Sequence, residues 1–252
     1  MRANNNGIAT MILGSELNGP RKILAGILSL GLSAAALAAD EPIKHHLAAP
    51  TGLRILAQTP PPAESAGWTG ITPSADLQGW TRIAIPPTNP LGRAQWRLDA
   101  ARQVLVCDGD GGHDLLRFDR PLTNGTFHVE YRFLSASGPN TNYNSGIFIR
   151  NSADGTIWHQ CQLALDGGYL FGETPVGDQL TSFKSPASEQ RMKPVGEWNT
   201  VEVSAQGRRL TVWLNGAEVS QFSPCEQPAG YIALEAEGYA IEFRNLRLKP
   251  LP

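Results

Sequence analysis

The sequence carries little charge and has no excess of either sign. Lys and Arg number 21 against 23 Asp and Glu, the net charge is −2, and charged residues make up 17% of the 252 positions, below the roughly 25% usual in soluble domains. Proteins that hold nucleic acid or a membrane surface electrostatically need a basic excess, so the charge balance disfavours both partner classes. The three cysteines fit no zinc-site spacing, and their odd number leaves at least one thiol outside any intrachain disulfide.

A second absence concerns helices, because no long apolar stripe of period 3.6 follows Gly67. The segment Phe127–Phe133 instead alternates apolar and polar residues, as a half-buried strand does. Glycine and proline are abundant, at 26 and 19 residues, and Asn-Gly or Asp-Gly pairs separate the alternating segments. Asn215-Gly216 predicts a hairpin between Leu210–Leu214 and Ala217–Phe222. The sequence therefore predicts an all-β domain, built as a two-sheet antiparallel sandwich or jelly roll.

The front of the chain differs from the rest in composition. Arg21 and Lys22 precede an apolar run that ends in Ala36-Leu37-Ala38, which is the arrangement of a secretory signal peptide with a small-residue cleavage site. The run is short and rich in Ala and Gly, which is unfavourable for a transmembrane helix, and an uncleaved anchor is the alternative. We predict cleavage after Ala38, no stable membrane span after processing, and a secreted or periplasmic protein.

The predicted organisation has three segments. Residues 1–38 form the signal peptide, and residues 39–66 form a tether rich in Pro and Ala. Residues 67–252 form the folded domain, because the alternating strand patterns begin there. The tether has no core of its own, so we expect the candidate site to lie in the third segment.

Two strands present polar faces that suit a sugar. Trp158, Gln160 and Gln162 share one face of their strand, and an aromatic ring can pack against a pyranose while amides donate and accept hydrogen bonds. Glu235 and Glu237 share a face of another strand, about 7 Å apart, close to the separation of the carboxylate pair in inverting glycosidases. An ordinary solvated face is the alternative interpretation of both strands.

Two more segments carry candidate functional residues. Asn144–Arg150 ends in a fixed cation that could hold an oxyanion or a carboxylate, and a structural ion pair is the competing role for Arg150. Asp108–Asp114 partly resembles a calcium-binding loop but lacks the EF-hand spacing, so we expect a glycine turn between strands. His113 in that turn could reach a cleft from its rim.

Six segments after Gly67 occur in the order found in one protein family. They are Gln103–Gly109, Phe127–Phe133, Asn144–Arg150, Lys193–Asn199, Leu210–Gly216 and Ile241–Arg247. Together they resemble the 3-keto-disaccharide hydrolase domain family. The resemblance implies a concanavalin A-like jelly roll related to lectin and laminarinase folds, export from a bacterium, and glycoside processing with 3-keto-glucosides as the substrate class.

The chain departs from that family at two positions. The family commonly has an aromatic-Glu-x-Gln segment where this chain has His159-Gln160-Cys161-Gln162, so Gln160 replaces a Glu whereas Gln162 matches. The family segment Leu-Gln-x-Glu-Gly corresponds to Leu234–Gly238, so Glu237 matches and Glu235 is a local exchange. If the replaced Glu is a base or a metal ligand in the family, its loss favours altered or lost activity.

The resemblance and the polar faces together predict a glycosidase-like enzyme that cleaves 3-keto-glucosides or 3-keto-disaccharides with the help of a base. A ketone at C3 acidifies the C2 proton, so a carboxylate or His must remove it. A non-catalytic carbohydrate-binding module on the same fold is the alternative. The predicted catalytic residues are Glu237 as base, Glu235 as its partner and Arg150 as an oxyanion stabiliser, and the predicted binding residues are Gln162, Gln160, Trp158, Asn144 and His113. No cofactor is expected, and a divalent metal such as calcium is left open with no ligands assigned.

Overall fold

A computed structural model describes residues 67–136 and 141–252. Within these two ranges the chain forms fifteen β-strands and no helix, and thus nothing there has the form of a membrane-spanning helix. The predicted signal peptide, 1–38, and the predicted tether, 39–66, lie outside the described residues.

The strands form two antiparallel sheets. In chain order they are β1 (Thr69–Gly70), β2 (Trp80–Ala84), β3 (Trp96–Asp99), β4 (Val104–Cys107), β5 (Asp114–Phe118), β6 (Gly125–Phe133), β7 (Ser145–Asn151), β8 (Trp158–Leu163), β9 (Leu170–Val176), β10 (Gln179–Ser185), β11 (Asn199–Gln206), β12 (Arg209–Leu214), β13 (Ala217–Phe222), β14 (Tyr231–Ala236) and β15 (Ile241–Pro250). Among the described residues, one sheet has eight strands in the order β13-β12-β11-β6-β15-β4-β3, with β1 beside β15, and the other has seven in the order β10-β9-β8-β7-β14-β5-β2. The fold is thus a two-sheet antiparallel jelly-roll sandwich of the concanavalin A-like type, which confirms the fold class predicted from the sequence.

The hydrophobic core lies between the two sheets, because alternate residues of each strand point inward. In β11 the inward positions Val201, Val203 and Ala205 are buried, while the residues between them are partly exposed. The seven-stranded sheet contributes residues such as Ile147 and Leu234, both fully buried. Burying a side chain of this size stabilises the fold by about 1.5–3 kcal/mol, so the alternating pattern fixes which face of each strand is left for function.

The predicted hairpin is confirmed. β12 and β13 pair through Leu214 and Ala217, and the two residues between them are Asn215, with φ 47°, and Gly216, with φ 92°. Asn and Gly tolerate the positive φ values that a tight hairpin turn requires, so the local sequence selects this turn.

The three cysteines, Cys107, Cys161 and Cys225, are free thiols in the structure and all are buried. Burial raises the pKa of both Cys107 and Cys161 to about 12, because the apolar surroundings disfavour the thiolate. These residues fill strand positions and core space, as small hydrophobic side chains do.

The segment that connects β4 to β5 is a glycine-containing turn, as predicted. Gly109 and Gly112 have φ values of 80° and 97°. Asp108 and Asp110 form ion pairs with Arg93. The turn crosses from one sheet to the other and delivers His113 to the start of β5.

Candidate active site

The candidate site lies on the outer face of the seven-stranded sheet, where β8, β7 and β14 are neighbours. The register places Gly146 of β7 opposite Gln162 of β8. A Cβ at position 146 would lie 2.3 Å from Nε2 of Gln160, so a glycine is needed for that side chain to pass over β7. Gln160 Nε2 then donates a hydrogen bond of 2.8 Å to Oε2 of Glu235 on β14. The polar faces of two strands that are distant in sequence thus meet.

Glu235 is a buried carboxylate with a partner on each oxygen. Its side chain is 4% exposed; Oε2 accepts from Gln160, and Oε1 lies 2.8 Å from Nε2 of His113. Ser145 Oγ also donates to the backbone carbonyl of Glu235 at 2.8 Å. A buried charge is tolerated when it is paired and hydrogen-bonded, and Glu235 meets both conditions.

His113 stands at the rim of the site, and its position is fixed by the next residue. Asp114 is 1% exposed, accepts a hydrogen bond of 2.8 Å from the Trp96 indole and forms an ion pair with Arg82. The hydrogen bond to Glu235 raises the pKa of His113, and the negative charges of Glu235, Glu237 and Asp114 act in the same direction against partial burial. The imidazole therefore keeps its proton to a higher pH than a free histidine does.

Glu237 is the more accessible carboxylate of the site. Its side chain is 37% exposed, and its Oε2 lies 4.0 Å from His113 Nε2. Burial raises the pKa of Glu237, and the charge of Glu235 raises it further, while His113 partly opposes both effects. A carboxylate with a raised pKa is a better proton acceptor near neutral pH than an ordinary glutamate.

The amide side chains extend this arrangement into a hydrogen-bonded chain. Gln160 Nε2 also donates to Gln162 Oε1 at 3.3 Å, and Gln162 Nε2 donates to Asn144 Oδ1 at 2.5 Å. We call the six connected residues the polar cluster: His113, Asn144, Gln160, Gln162, Glu235 and Glu237. All six were candidates from the sequence, although their roles were assigned only by strand phase and by resemblance.

Trp158 lies beside the polar cluster rather than within it. Its ring centroid is 6.3 Å from that of Phe148 and 5.2 Å from that of Phe171. It lines the same cavity as His113, Gln160 and Glu235, so the structure keeps it within reach of a ligand held by the cluster.

Arg150 is not brought to the polar cluster, where the predicted oxyanion stabiliser would have to lie. β7 has a bulge where Tyr231 pairs with Asn151 and Ala233 pairs with Phe148, and Arg150 takes a φ of 56°. The extra residue breaks the period-two alternation, and the guanidinium turns inward, where Arg150 is 1% exposed. It donates to the backbone carbonyls of Thr123, Gly207 and Gln227 and to Oδ1 of Asn124. Its role is therefore to tie loops together, which differs from both roles considered for it.

Sequence analysis missed the apolar residues and the glycine that shape the site. Gly146 was passed over, although a glycine inside a strand signals a close approach of other atoms. Leu115, Phe148 and Ala233 form a small apolar group outside the main core. Phe148 follows the buried Ile147 in the strand and therefore points to the outer face. An aromatic residue at such a position could have been noticed in the sequence, because a polar residue is usual there.

The polar cluster contains a set of possible metal ligands. One ligand atom from each of His113, Glu235 and Glu237 lies within 4.8 Å of the others. Imidazole and carboxylate groups bind divalent cations, and the same groups are those that most often act as general acids and bases. The geometry suits either use, and metal analysis of the purified protein distinguishes them.

Comparisons with known proteins agree with the fold and supply a family. The model of a family described as the 3-keto-alpha-glucoside-1,2-lyase-like domain matches residues 67–249. A proposed glycosyl hydrolase from Parabacteroides distasonis ATCC 8503 has a similar structure, with a TM-score of 0.52 and 16% identity over 74% of this chain and 94% of that chain. The carbohydrate-binding module CBM66 from Bacillus subtilis is also similar, with a TM-score of 0.51 and 12% identity over 68% of this chain and 95% of that chain. No relative is found among curated proteins, and at these identities the structural likeness shows the fold alone.

Proposed function

The chain belongs to the 3-keto-alpha-glucoside-1,2-lyase-like domain family, and on this premise we propose that it cleaves 3-keto-glucosides by base-assisted elimination. Membership of this family indicates glycosidase-like chemistry and a carbohydrate ligand. Beyond this general class, we propose that the substrate is a 3-keto-glucoside and that the bond is cleaved by elimination.

The chemistry of the substrate defines what the site must supply. A ketone at C3 makes the C2 proton acidic, and the glycosidic oxygen on C1 is in the β position. Removal of the C2 proton allows the C1–C2 double bond to form as the C1–O bond breaks, and the departing oxygen takes up a proton to give the free aglycone. The site therefore needs a base at C2, an acid at the leaving oxygen, and donors at the C3 oxygen.

The spacing of three residues is the observation that carries the proposal. Glu237 lies 4.0 Å from His113, which in turn lies 2.8 Å from the buried Glu235. Glu237 is the accessible carboxylate and accepts the C2 proton. His113, held protonated by Glu235, donates a proton to the leaving oxygen. Glu235 thus acts as the partner of His113 rather than of Glu237.

The amides of the polar cluster bind the sugar. Gln162 and Asn144 have carboxamide groups that can donate to the C3 oxygen as enolate charge develops and can bind ring hydroxyls. Gln160 already donates from Nε2 to both Gln162 and Glu235, so its Oε1 is the atom that can accept from a ring hydroxyl. Because Gln160 is also hydrogen-bonded to Glu235, its carboxamide is held in place before substrate arrives. Such preorganisation supports transition-state binding.

The two departures from the family pattern lie in direct contact. Gln160 stands where the family commonly has Glu, and Glu235 stands where it has Gln, and their side chains are joined by a hydrogen bond of 2.8 Å. The pair thus retains one carboxylate and one amide, with their positions exchanged. This supports a catalytic site over the alternative of a non-catalytic carbohydrate-binding module. The carboxylate missing at position 160 on β8 is supplied by Glu235 on β14, and the two strands are separated only by β7.

A cleavage assay tests the proposed function directly. The purified protein is incubated with 3-keto-glucosides and with the unoxidised glucosides, and release of the aglycone is followed in the presence and absence of a chelator. We expect cleavage of the 3-keto compounds only, at a rate that the chelator leaves unchanged. Loss of the rate with chelator would assign a divalent ion to the His113, Glu235 and Glu237 set, and sugar binding without any cleavage would favour the binding module.

Replacement of the proposed base gives the sharpest residue-level test. In Glu237→Gln the amide keeps the shape but cannot accept a proton, so we expect turnover to fall by at least about 10²-fold while the Kd for an unreactive glucoside changes by less than about threefold. Glu202→Gln is the matched control, because Glu202 also pairs with a histidine, at 3.0 Å, and is 38% exposed, but lies on the other sheet. An unchanged rate in Glu237→Gln would contradict the assignment and leave His113 or a metal-bound hydroxide as the base.

A further inference from the structure

A cavity of about 350 Å³ opens beside the polar cluster on the outer face of the seven-stranded sheet. Leu115, Phe148 and Ala233 line it from β5, β7 and β14, are buried and pack together as one apolar group. The register sets them in neighbouring strands, with Ala233 opposite Phe148. Three adjacent strands thus place apolar side chains on a face where polar ones are usual, so the face is adapted to an apolar ligand or partner.

The walls of the cavity are also apolar. Trp158 at the start of β8 lines it, as do Ile85, Pro86 and Pro87 from the segment after β2. The rings of Trp158 and Phe148 are tilted by 46° with centroids 6.3 Å apart, an arrangement that leaves edges and faces for a third ring.

Asn151 and Arg117 are polar residues of the outer part of the cavity, and each contacts neighbouring residues. Asn151 accepts a hydrogen bond of 3.1 Å from the backbone N–H of His159 through its side-chain oxygen. The guanidinium of Arg117 lies 4.4 Å from the centroid of the Tyr231 ring and forms an ion pair with Asp119. Nε of Arg117 is buried without a hydrogen-bond partner, so these groups leave few hydrogen-bonding atoms for the several hydroxyls of a second sugar.

The polar end of the cavity is shared with the polar cluster. His113, Gln160 and Glu235 line the cavity, whereas Glu237 is not one of its lining residues. The proposed acid therefore faces the cavity and the proposed base lies to one side of it. A glucoside with C2 at Glu237 and its leaving oxygen at His113 has the group attached to that oxygen directed into the cavity.

We propose that this cavity is the aglycone subsite and that it selects glycosides whose aglycone is an apolar aromatic group. This inference rests on the proposed function for the orientation of the substrate. Size agrees with it, because an engineered apolar cavity of about 150 Å³ already accepts benzene, and the present cavity is larger. A second sugar is disfavoured, because hydroxyls buried without partners lose their hydrogen bonds to water without replacement.

The first test compares three 3-keto-glucosides that differ only in the aglycone, which is phenyl, methyl or a second glucose. We expect kcat/KM for the phenyl compound to exceed that for the disaccharide by at least about tenfold, equivalent to about 1.4 kcal/mol. Equal values, or a preference for the disaccharide, would overturn the proposal. The methyl compound separates the intrinsic reactivity of the ring from recognition of the aglycone.

Variants that alter the cavity test where the preference arises. Ala233→Leu adds volume at a lining position, and we expect it to lower the ratio of phenyl to methyl kcat/KM by at least about fivefold. Ala217→Leu, the same substitution on β13 of the other sheet, is the matched control. Trp158→Ser, at a half-buried wall position, is a second route to the same result if Ala233→Leu does not fold. An unchanged ratio in a folded variant of either kind would overturn the assignment.

A binding measurement separates this proposal from the proposed function. Calorimetric titration of the protein with unoxidised phenyl α-glucoside and with maltose requires no cleavage. We expect the phenyl compound to bind at least about tenfold more tightly, and Trp158→Ser to remove the difference. Absence of cleavage together with this preference would refute the proposed function and retain the apolar subsite, whereas equal binding of the two compounds would refute the subsite.

Discussion

At the residue scale, the two carboxylates of the polar cluster have different surroundings, and these surroundings assign them different roles. Glu235 is almost fully buried and bonded through both oxygens, whereas Glu237 is more than one-third exposed. The two carboxylates are only two residues apart, with Glu235 on β14 and Glu237 in the bend just after it, yet the pairing of Glu235 with His113 leaves Glu237 available to a ligand. Different surroundings for two similar groups are how a site assigns an acid and a base.

The pH dependence of cleavage follows from these surroundings. The base must be deprotonated and the acid protonated, and the pKa values of Glu237 and His113 are both raised. We expect a bell-shaped profile of kcat/KM with its rising limb above the ordinary glutamate pKa of about 4.3 and its falling limb above the ordinary histidine pKa of about 6.5. In Glu235→Gln, which removes the neighbouring negative charge, both limbs should move to lower pH. Limbs that do not move would contradict the roles assigned here, and Glu202→Gln serves as the control.

The same shift of His113 has a consequence for folding that needs no substrate. Because the pKa of His113 is higher in the folded than in the unfolded state, its contribution to stability is complete below about pH 6.5 and is lost as the pH rises through the folded-state value. The raised pKa of Glu237 acts in the same direction, since the folded state then favours the protonated carboxyl. The unfolding midpoint of the wild type should therefore fall more between neutral and alkaline pH than that of His113→Gln.

At the scale of structural elements, the bulge of β7 determines what Arg150 does. A regular strand would have directed this guanidinium to the outer face, beside Phe148. The bulge turns it inward, where it binds backbone carbonyls from three separate chain segments around Thr123, Gly207 and Gln227. Arg150 thus anchors loops at one end of the sandwich.

Replacement of this anchor should lower stability rather than catalysis. Arg150→Lys keeps the charge but has fewer donors and no planar fork, so carbonyls lose their partners, and we expect the free energy of unfolding to fall by roughly 3 kcal/mol. Arg97→Lys, at a side chain that is 58% exposed, is the matched control. Urea unfolding measures the difference, and the kcat of the folded Arg150→Lys protein should stay within about twofold of wild type. A change in kcat without a change in stability would instead indicate a catalytic role for Arg150.

Local sequence patterns predicted the strands better than they predicted the site. Alternation and turn residues are properties of neighbouring positions, so β6 and the β12–β13 hairpin could be predicted from the sequence. The bulge at Arg150 could not, because a positive φ at an arginine has no compositional signature of the kind that Gly or Asn provides. The contact of Gln160 with Glu235 joins positions 75 residues apart, and it depends on strand order and on Gly146, which a local pattern does not contain.

At the scale of the whole molecule, we propose that the front of the chain directs export. We propose that residues 1–38 are removed as a signal peptide, because a basic pair, an apolar run and Ala36-Leu37-Ala38 follow one another. N-terminal sequencing of protein recovered from outside the cytoplasm should give Ala39 as the first residue, and Ala38→Trp should block this cleavage. An intact Met1 or Met11 would contradict the proposal.

The state of the three cysteines has a consequence for the covalent structure of the molecule. Cys107, Cys161 and Cys225 are buried in the folded protein, and burial raises the pKa of the first two to about 12. Thiol–disulfide exchange needs an accessible thiolate, so neither thiol is poised to react at neutral pH. The native architecture consequently contains no disulfide, so its formation requires neither an oxidant nor a disulfide isomerase.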